Sequence, residues 1–101
     1  MSFNREQRIK IWKRYFPYSN SAVDVFGRNM NINNFQADHI WPEAEGGRNV
    51  IENGIPLSAL SNQEKNDEVK GIVNGKSFSV RWDKVNKGIG MLYIGENKVS
   101  K

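Results

Sequence analysis

The chain has a single histidine, which follows an aspartate in the stretch ADHIWPEAEGG at residues 37–47. An imidazole has a reference pKa of about 6.5, so His39 can be a neutral base at physiological pH. Asp38 supplies a carboxylate, a hard ligand of the kind that Mg²⁺ prefers. The pair thus offers two parts of a metal-assisted hydrolysis, a base for water and a ligand for a cation. Alone, it is weak evidence, because an isolated histidine is more often structural.

The residues after His39 give the pair a context. From Asp38 to Asp67 the chain reads D-H-I-x-P-x-x-x-G-G-x-x-x-x-x-N-x-x-x-L-x-x-x-x-N-x-x-K-x-D. The first part, residues 41–56, shows no sustained period and is predicted to be a loop. A loop of this length in a small domain is usually functional.

This spacing resembles that of the HNH endonucleases, whose nuclease core is a ββα-metal motif. The matched stretch, residues 38–67, is about a third of the chain. Asp-His, Gly-Gly, Asn and Asn-x-x-Lys at these intervals form a far more specific signal than any one of them. The resemblance implies a DNA endonuclease that leaves 5′-phosphate and 3′-hydroxyl ends.

The resemblance also implies a role for each matched residue. His39 takes the place of the general base that deprotonates water. Asp38 takes the place of a metal ligand, and Asn62 matches the last position of the motif, which completes metal binding. Asn53 matches the middle asparagine, which braces the loop and so orients the histidine. Lys65 matches a lysine that is expected near the substrate phosphate.

The implied cofactor is one divalent metal ion. Mg²⁺ is the metal expected, and Mn²⁺, Ni²⁺ or Co²⁺ should substitute, because two protein ligands cannot select a metal tightly. Many relatives also bind a structural zinc through two CxxC pairs. This chain has no cysteine, and Ser58 and Ser61 stand where the second pair would fall. We therefore expect no structural zinc. Elements outside the core are expected to supply the support that the zinc gives in those relatives.

Local patterns predict an α+β fold in one small domain over residues 1–101, with the ββα-metal core at about 35–70. Asn4 is positioned to cap a basic N-terminal helix over about 5–16, with Gln7 at the capping-box position. Two short strands are predicted, at Val23–Phe26 and at Phe35–Ile40.

The second half of the chain carries a further helix and a hairpin. Ser58 is a candidate cap for a helix over about 59–70, which Gly71 would end. Asn74-Gly75 is a strong turn signal, and alternating apolar residues follow it. These features predict a C-terminal β-hairpin at about 72–95.

Charge is segregated along the chain, whose formal net charge is +4. Residues 1–16 carry five basic side chains and one acidic one, and residues 69–101 carry seven basic and two acidic ones. Residues 38–68 carry seven acidic and two basic ones. Basic arms suit a nucleic acid and an acidic centre suits a hard cation, although a solvated mixed surface is the alternative. The candidate DNA contacts are Lys65, Arg5, Arg8, Lys76, Arg81, Lys84 and Lys87.

Several alternatives remain open at this level. A non-catalytic nucleic-acid-binding module on the same fold is one, and an RNase or toxin-type nuclease is another, because composition does not separate DNA from RNA. Double-stranded DNA is the partner we expect. One such core cuts one strand, so a double-strand break needs a homodimer or two sequential nicks. Phage, mobile-element and restriction contexts all fit.

Hydropathy gives expectations about location. No run approaches the roughly 20 apolar residues of a membrane span, and no apolar segment of signal-peptide type follows the start. We expect no membrane partner. The lack of cysteine is compatible with a reducing compartment, and we expect a cytoplasmic protein of a bacterial or phage-infected cell.

Overall fold

The N-terminal helix forms as its capping pattern predicts. A computed structural model describes residues 3–101, and helix α1 spans Arg5–Tyr15. The Asn4 side chain accepts a hydrogen bond from the Gln7 backbone N–H at 2.8 Å, and the Gln7 side chain accepts one from the Asn4 N–H at 3.0 Å. This reciprocal pair satisfies two donors that the helix itself leaves free. Ile11 and Trp12 form the buried face.

Two short hairpin-like pairs follow α1. Their strands are antiparallel, β1 with β2 and β3 with β4. The four strands are β1 (Ser21–Val23), β2 (Asn29–Asn31), β3 (Gln36–His39) and β4 (Gly54–Leu57). The strand predicted at Phe35–Ile40 is confirmed as the slightly shorter β3. The loop predicted over 41–56 contains two short 3₁₀ turns and ends earlier than expected, because β4 begins at Gly54.

A turn around Asp24 displaces the first predicted strand. The prediction of a strand at Val23–Phe26 was wrong beyond Val23. Asp24 Oδ1 accepts hydrogen bonds from the backbone N–H groups of Phe26 and Arg28, at 2.9 and 3.0 Å, which folds this segment into a turn. Its Oδ2 accepts a third, at 2.9 Å, from the Ser58 N–H where the second helix starts. Buried Asp24 therefore ties the turn to that helix.

The second helix, α2 (Ala59–Lys65), is shorter than predicted. Its start is as expected, since the Ser58 hydroxyl accepts a hydrogen bond from the Ser61 N–H at 3.1 Å. The predicted end near residue 70 was wrong. Asn66 takes a positive φ of 52° and ends the helix, a conformation that asparagine tolerates better than most residues. Lys70 then already belongs to the next strand.

The C-terminal hairpin is part of a larger sheet. Asn74 and Gly75 form its turn with positive φ angles of 49° and 77°, which suits the twist of paired strands. The predicted turn is thus confirmed, and the sheet continues beyond it. It is antiparallel, in chain order, and consists of β5 (Lys70–Val73), β6 (Lys76–Trp82), β7 (Gly90–Ile94) and β8 (Asn97–Lys98).

One core joins these layers. Its main cluster draws on the large sheet, on β4 and on the end of β3, and a smaller cluster of Trp12, Met30 and Phe35 lies under α1. The radius of gyration is 12.3 Å, against about 13 Å for a compact domain of 100 residues. The α+β fold in a single domain is therefore confirmed. Among residues 3–101, neither helix is long and apolar enough to cross a membrane.

Candidate active site

The end of β3 brings Asp38 and His39 to one open cleft. The cleft has a volume of about 300 Å³ and is lined by Ala37, Asp38, His39, Pro42, Glu43, Asn62, Gln63, Asn66 and Asp67. Alternation along a strand directs neighbouring side chains to opposite faces, and here Asp38 is buried while His39 is partly exposed. Within the described chain β3 pairs with β4 alone, so both residues reach the cleft at the free edge of β3.

Close packing holds β4 behind this edge. Gly54 lies opposite His39 in the register. A Cβ atom at Gly54 would collide with Ile11 Cδ1 on α1, so only glycine allows the helix to approach this closely. The histidine is therefore presented from a strand pair that is fixed against α1.

Two contacts orient the imidazole of His39. Its Nε2 lies 2.9 Å from Asn49 Oδ1, and the Phe3 ring stacks on it with centroids 4.1 Å apart and an interplanar angle of 11°. An amide oxygen only accepts hydrogen bonds, so in this arrangement Nε2 carries the proton and Nδ1 is the basic nitrogen. The sequence reasoning missed both partners, and apart from the position of Asn49 in the loop nothing in the motif points to them.

Asn53 holds the two ends of the loop together and does not line the cleft. Its Oδ1 accepts hydrogen bonds from the N–H groups of Trp41 and Gly90, both at 2.9 Å. Its Nδ2 donates to the carbonyls of Trp41 and Arg48 at 3.0 and 3.1 Å. The side chain is fully buried with all four bonds made. Any influence of Asn53 on His39 must therefore pass through the loop backbone.

A buried ion pair lies behind the histidine. Lys65 Nζ is 2.9 Å from Asp38 Oδ2, and the relative exposure of the two side chains is 0% and 9%. The same ammonium donates to the carbonyl of His39 at 3.3 Å and lies 3.5 Å from that of Ile40. Lys65 was predicted to contact phosphate. In this arrangement it faces inward, and its predicted role would require it to leave Asp38.

The carboxylate of Asp38 remains incompletely compensated. Burial raises the pKa of Asp38, although the Lys65 ammonium acts in the opposite direction. Apart from the ion pair with Lys65, this buried oxygen has no hydrogen-bond donor in the described chain. A second positive charge at this carboxylate would relieve the cost of its burial.

The donor set of the cleft fits a hard divalent cation. Asp38 and Asn62 offer a carboxylate and an amide oxygen on the same cleft, and Asp67, which ends the motif but was given no role, adds an exposed carboxylate. Such oxygen ligands suit Mg²⁺. Within residues 3–101 no three His, Cys, Asp or Glu side chains cluster as a metal cage, so a cation here would need further ligands from water or substrate.

The predicted DNA contacts lie in different environments. Lys65 is the buried one described above, and Arg8 lies beside the cleft. It lines a recess with Phe3, Gln36 and Ala37, and Ala37 also lines the cleft itself. Arg81 stacks over the Tyr93 ring at 3.9 Å. The other four are exposed and form no ion pair with residues 3–101, namely Arg5, Lys76, Lys84 and Lys87.

Comparison with curated proteins finds a similarity to an endonuclease. The chain is 28% identical over 86 residues to the CRISPR-associated endonuclease Cas9 of Listeria innocua. The match covers 81% of this chain and 6% of that protein, so the chain spans a small fraction of the relative's length. No family model matches the chain, and no solved structure matches it. The similarity reaches well beyond the 38–67 motif, since it includes most of the chain.

Proposed function

We propose that this protein is a metal-dependent endonuclease of the HNH type that hydrolyses phosphodiester bonds in double-stranded DNA. The observation that carries the proposal is the setting of His39. Its imidazole stands at an open cleft with one nitrogen bound to Asn49 and with Asp38 and Asn62 beside it. The similarity of most of the chain to an endonuclease supports the same reaction class.

His39 acts as the general base in this proposal. Nδ1 accepts a proton from water while Nε2–H stays bonded to Asn49, and the stacked Phe3 ring keeps the imidazole in plane. The water oxygen forms a bond to phosphorus as the bond to the 3′-oxygen breaks, and the departing 3′-oxygen takes up a proton from solvent. The products carry a 5′-phosphate and a 3′-hydroxyl. A positioned base of this kind contributes about 10²–10⁴-fold to the rate.

Asp38 and Asn62 would hold the divalent cation, with Mg²⁺ expected and Mn²⁺, Ni²⁺ or Co²⁺ able to replace it. When bound, the cation supplies positive charge to the phosphate oxygens that become more negative during the reaction. From the buried side, the Lys65 ammonium favours the ionised form of Asp38 and holds its carboxylate in place. Asn53 keeps the loop closed by bonding to Trp41 and to Arg48, the residue directly before Asn49.

Supercoiled plasmid tests this function. With Mg²⁺ we expect relaxed or linear product, and none with a chelator. His39→Gln should lower the rate about 10²–10⁴-fold and leave duplex binding and the thermal unfolding midpoint near the wild-type values. A Tyr18→Ala variant controls for mutation at a fully exposed site, since Tyr18 is 99% exposed. Cleavage by His39→Gln at the wild-type rate, or cleavage in excess chelator, would refute the proposal.

A further inference from the structure

A second cleft is lined by Arg48, Val50 and Glu52, which belong to the later part of the loop that follows β3. It has a volume of about 350 Å³ and shares no lining residue with the candidate active site. Its charged side chains are four bases and two acids, namely Arg14, Arg48, Lys98, Lys101, Glu52 and Asp83. We refer to it as the basic cleft. Of its four bases, Arg48 alone lies outside the two basic arms, and none of the four is among the DNA contacts named from the sequence.

Arg48 is held in place without using its charge. Its backbone N–H donates to the Gly88 carbonyl at 2.8 Å. Its aliphatic stem lies over Gly88, where a Cβ atom would collide with Arg48 Cγ. The guanidinium forms no ion pair with residues 3–101. A guanidinium whose stem is fixed and whose donors are free is well prepared to bind an anionic oxygen.

The rest of the basic cleft is also electropositive. In the described chain none of its four bases pairs with an Asp or Glu side chain, although the Arg14 guanidinium donates to the backbone oxygens of Ile51 and Lys101, both at 3.4 Å. The carboxylate of Asp83 is engaged by its own turn, where it accepts hydrogen bonds from the N–H groups of Val85 and Asn86 at 2.9 and 3.0 Å. These bonds, with a smaller effect from Lys98, hold the pKa of Asp83 below its ordinary value. The four bases still outnumber the two acids, Glu52 and Asp83, so the cleft carries an excess of positive charge.

We propose that the basic cleft binds the phosphodiester backbone of the duplex substrate beyond the cleaved bond. This inference rests on the proposed function. Arg48 directly precedes Asn49, which holds His39, and consecutive Cα atoms are about 3.8 Å apart. A duplex presents one phosphate per about 1.7 Å of its axis. DNA seated at His39 thus offers further phosphates to Arg48 and its neighbours, and four bases around one opening suit several phosphates better than one small anion.

The salt dependence of binding tests this role. Affinity for a fluorescent duplex is measured by anisotropy in a chelator, at salt concentrations from about 50 to about 200 mM. The test variant is Arg48→Met/Lys98→Met, in which the unbranched methionine side chain at position 48 would preserve the packing over Gly88 without the charge. Each lost phosphate contact lowers the slope of log affinity against log salt by about 0.9. We expect the magnitude of this slope to fall by about 2 in the variant, so the wild type loses roughly tenfold more affinity than the variant across this salt range.

The matched control is Lys13→Met/Lys70→Met, which removes the same charge from exposed positions that line neither cleft. Its slope should equal that of the wild type, and Arg48→Lys should also keep the wild-type slope. Thermal unfolding followed by circular dichroism confirms that each variant is folded. An unchanged slope in the test variant, an equal fall in the control, or no duplex binding by the wild type would overturn the inference.

The two proposals fail in different ways. Binding is measured without divalent metal, so the basic cleft can be refuted while plasmid cleavage with Mg²⁺ persists. Conversely, a wild-type protein that binds the duplex through the cleft but never cuts plasmid would refute the endonuclease alone.

Discussion

Lys65→Met should destabilise the protein strongly at neutral pH. The substitution keeps the length of the side chain but leaves the carboxylate of Asp38 buried without its cation. Removing one partner of a buried ion pair costs about 3–5 kcal/mol. Because a small domain is stable by only about 5–15 kcal/mol, this is a large fraction of the total. For a domain of this size the unfolding midpoint should fall by at least about 12 °C.

The loss of stability in Lys65→Met should shrink as the pH falls. Burial already raises the pKa of Asp38, and Lys65 opposes that rise. Without Lys65 the pKa of folded Asp38 rises further above its unfolded value, so the folded state binds a proton more readily. Protonation then removes the buried charge, and stability is regained as the pH drops through the raised pKa.

Urea unfolding at about pH 7 and about pH 5 measures both effects. The double variant Asp38→Asn/Lys65→Met removes both charges and should recover most of the lost stability at about pH 7, so the test remains decisive even if the single variant fails to fold. A loss below about 1 kcal/mol at about pH 7 in Lys65→Met, or an equal loss at both pH values, would refute the reasoning.

Three further predictions concern other contacts. Asn49→Ala should lower the cleavage rate about tenfold or more while calorimetry shows unchanged metal affinity, because it frees the His39 ring and touches no proposed ligand; reduced metal affinity would contradict this. Asp24→Asn should cost about 1–3 kcal/mol, since Asp24 accepts the Ser58 N–H in the interior. Burial alone would raise the pKa of Asp24, but its hydrogen bonds lower it. The contribution of Asp24 to stability is therefore present at neutral pH and lost as the pH falls through the lowered pKa. If acid unfolds the variant and the wild type at the same midpoint pH in urea, this contribution is excluded. Arg8→Met should lower the salt slope of duplex binding by about 1, because Arg8 borders the recess that adjoins the cleft; an unchanged slope would remove it from the DNA surface.

Some of the architecture could be predicted because its causes are local. The Asn4–Gln7 capping box and the Asn74-Gly75 turn each depend on residues within four positions of one another, and both form as predicted. The end of α2 and the start of β4 could not be predicted in the same way. β4 exists because β3 lies beside it, and the paired residues are 15 to 21 positions apart in the chain. The end of α2 reflects the course of the chain into the large sheet.

The candidate site likewise combines features that are local in the sequence with contacts that only the fold creates. Sequence alone determined that an imidazole follows a carboxylate before a turn-rich loop, with amides at set intervals beyond, because the spacing of covalent neighbours is a property of the chain. It also places the capping residues that start both helices. The roles assigned to those residues remain predictions.

Only the tertiary structure decided which groups meet. The stacking of Phe3 on His39, the bond from His39 to Asn49 and the burial of Lys65 against Asp38 join residues 10 to 36 positions apart. Lys65 carries a charge that sequence reasoning directs to a phosphate, yet the fold turns it inward. A helix only seven residues long places it behind β3, where the buried carboxylate of Asp38 stabilises an ammonium that is cut off from water. Residue type sets the charge, and packing decides which partner that charge has.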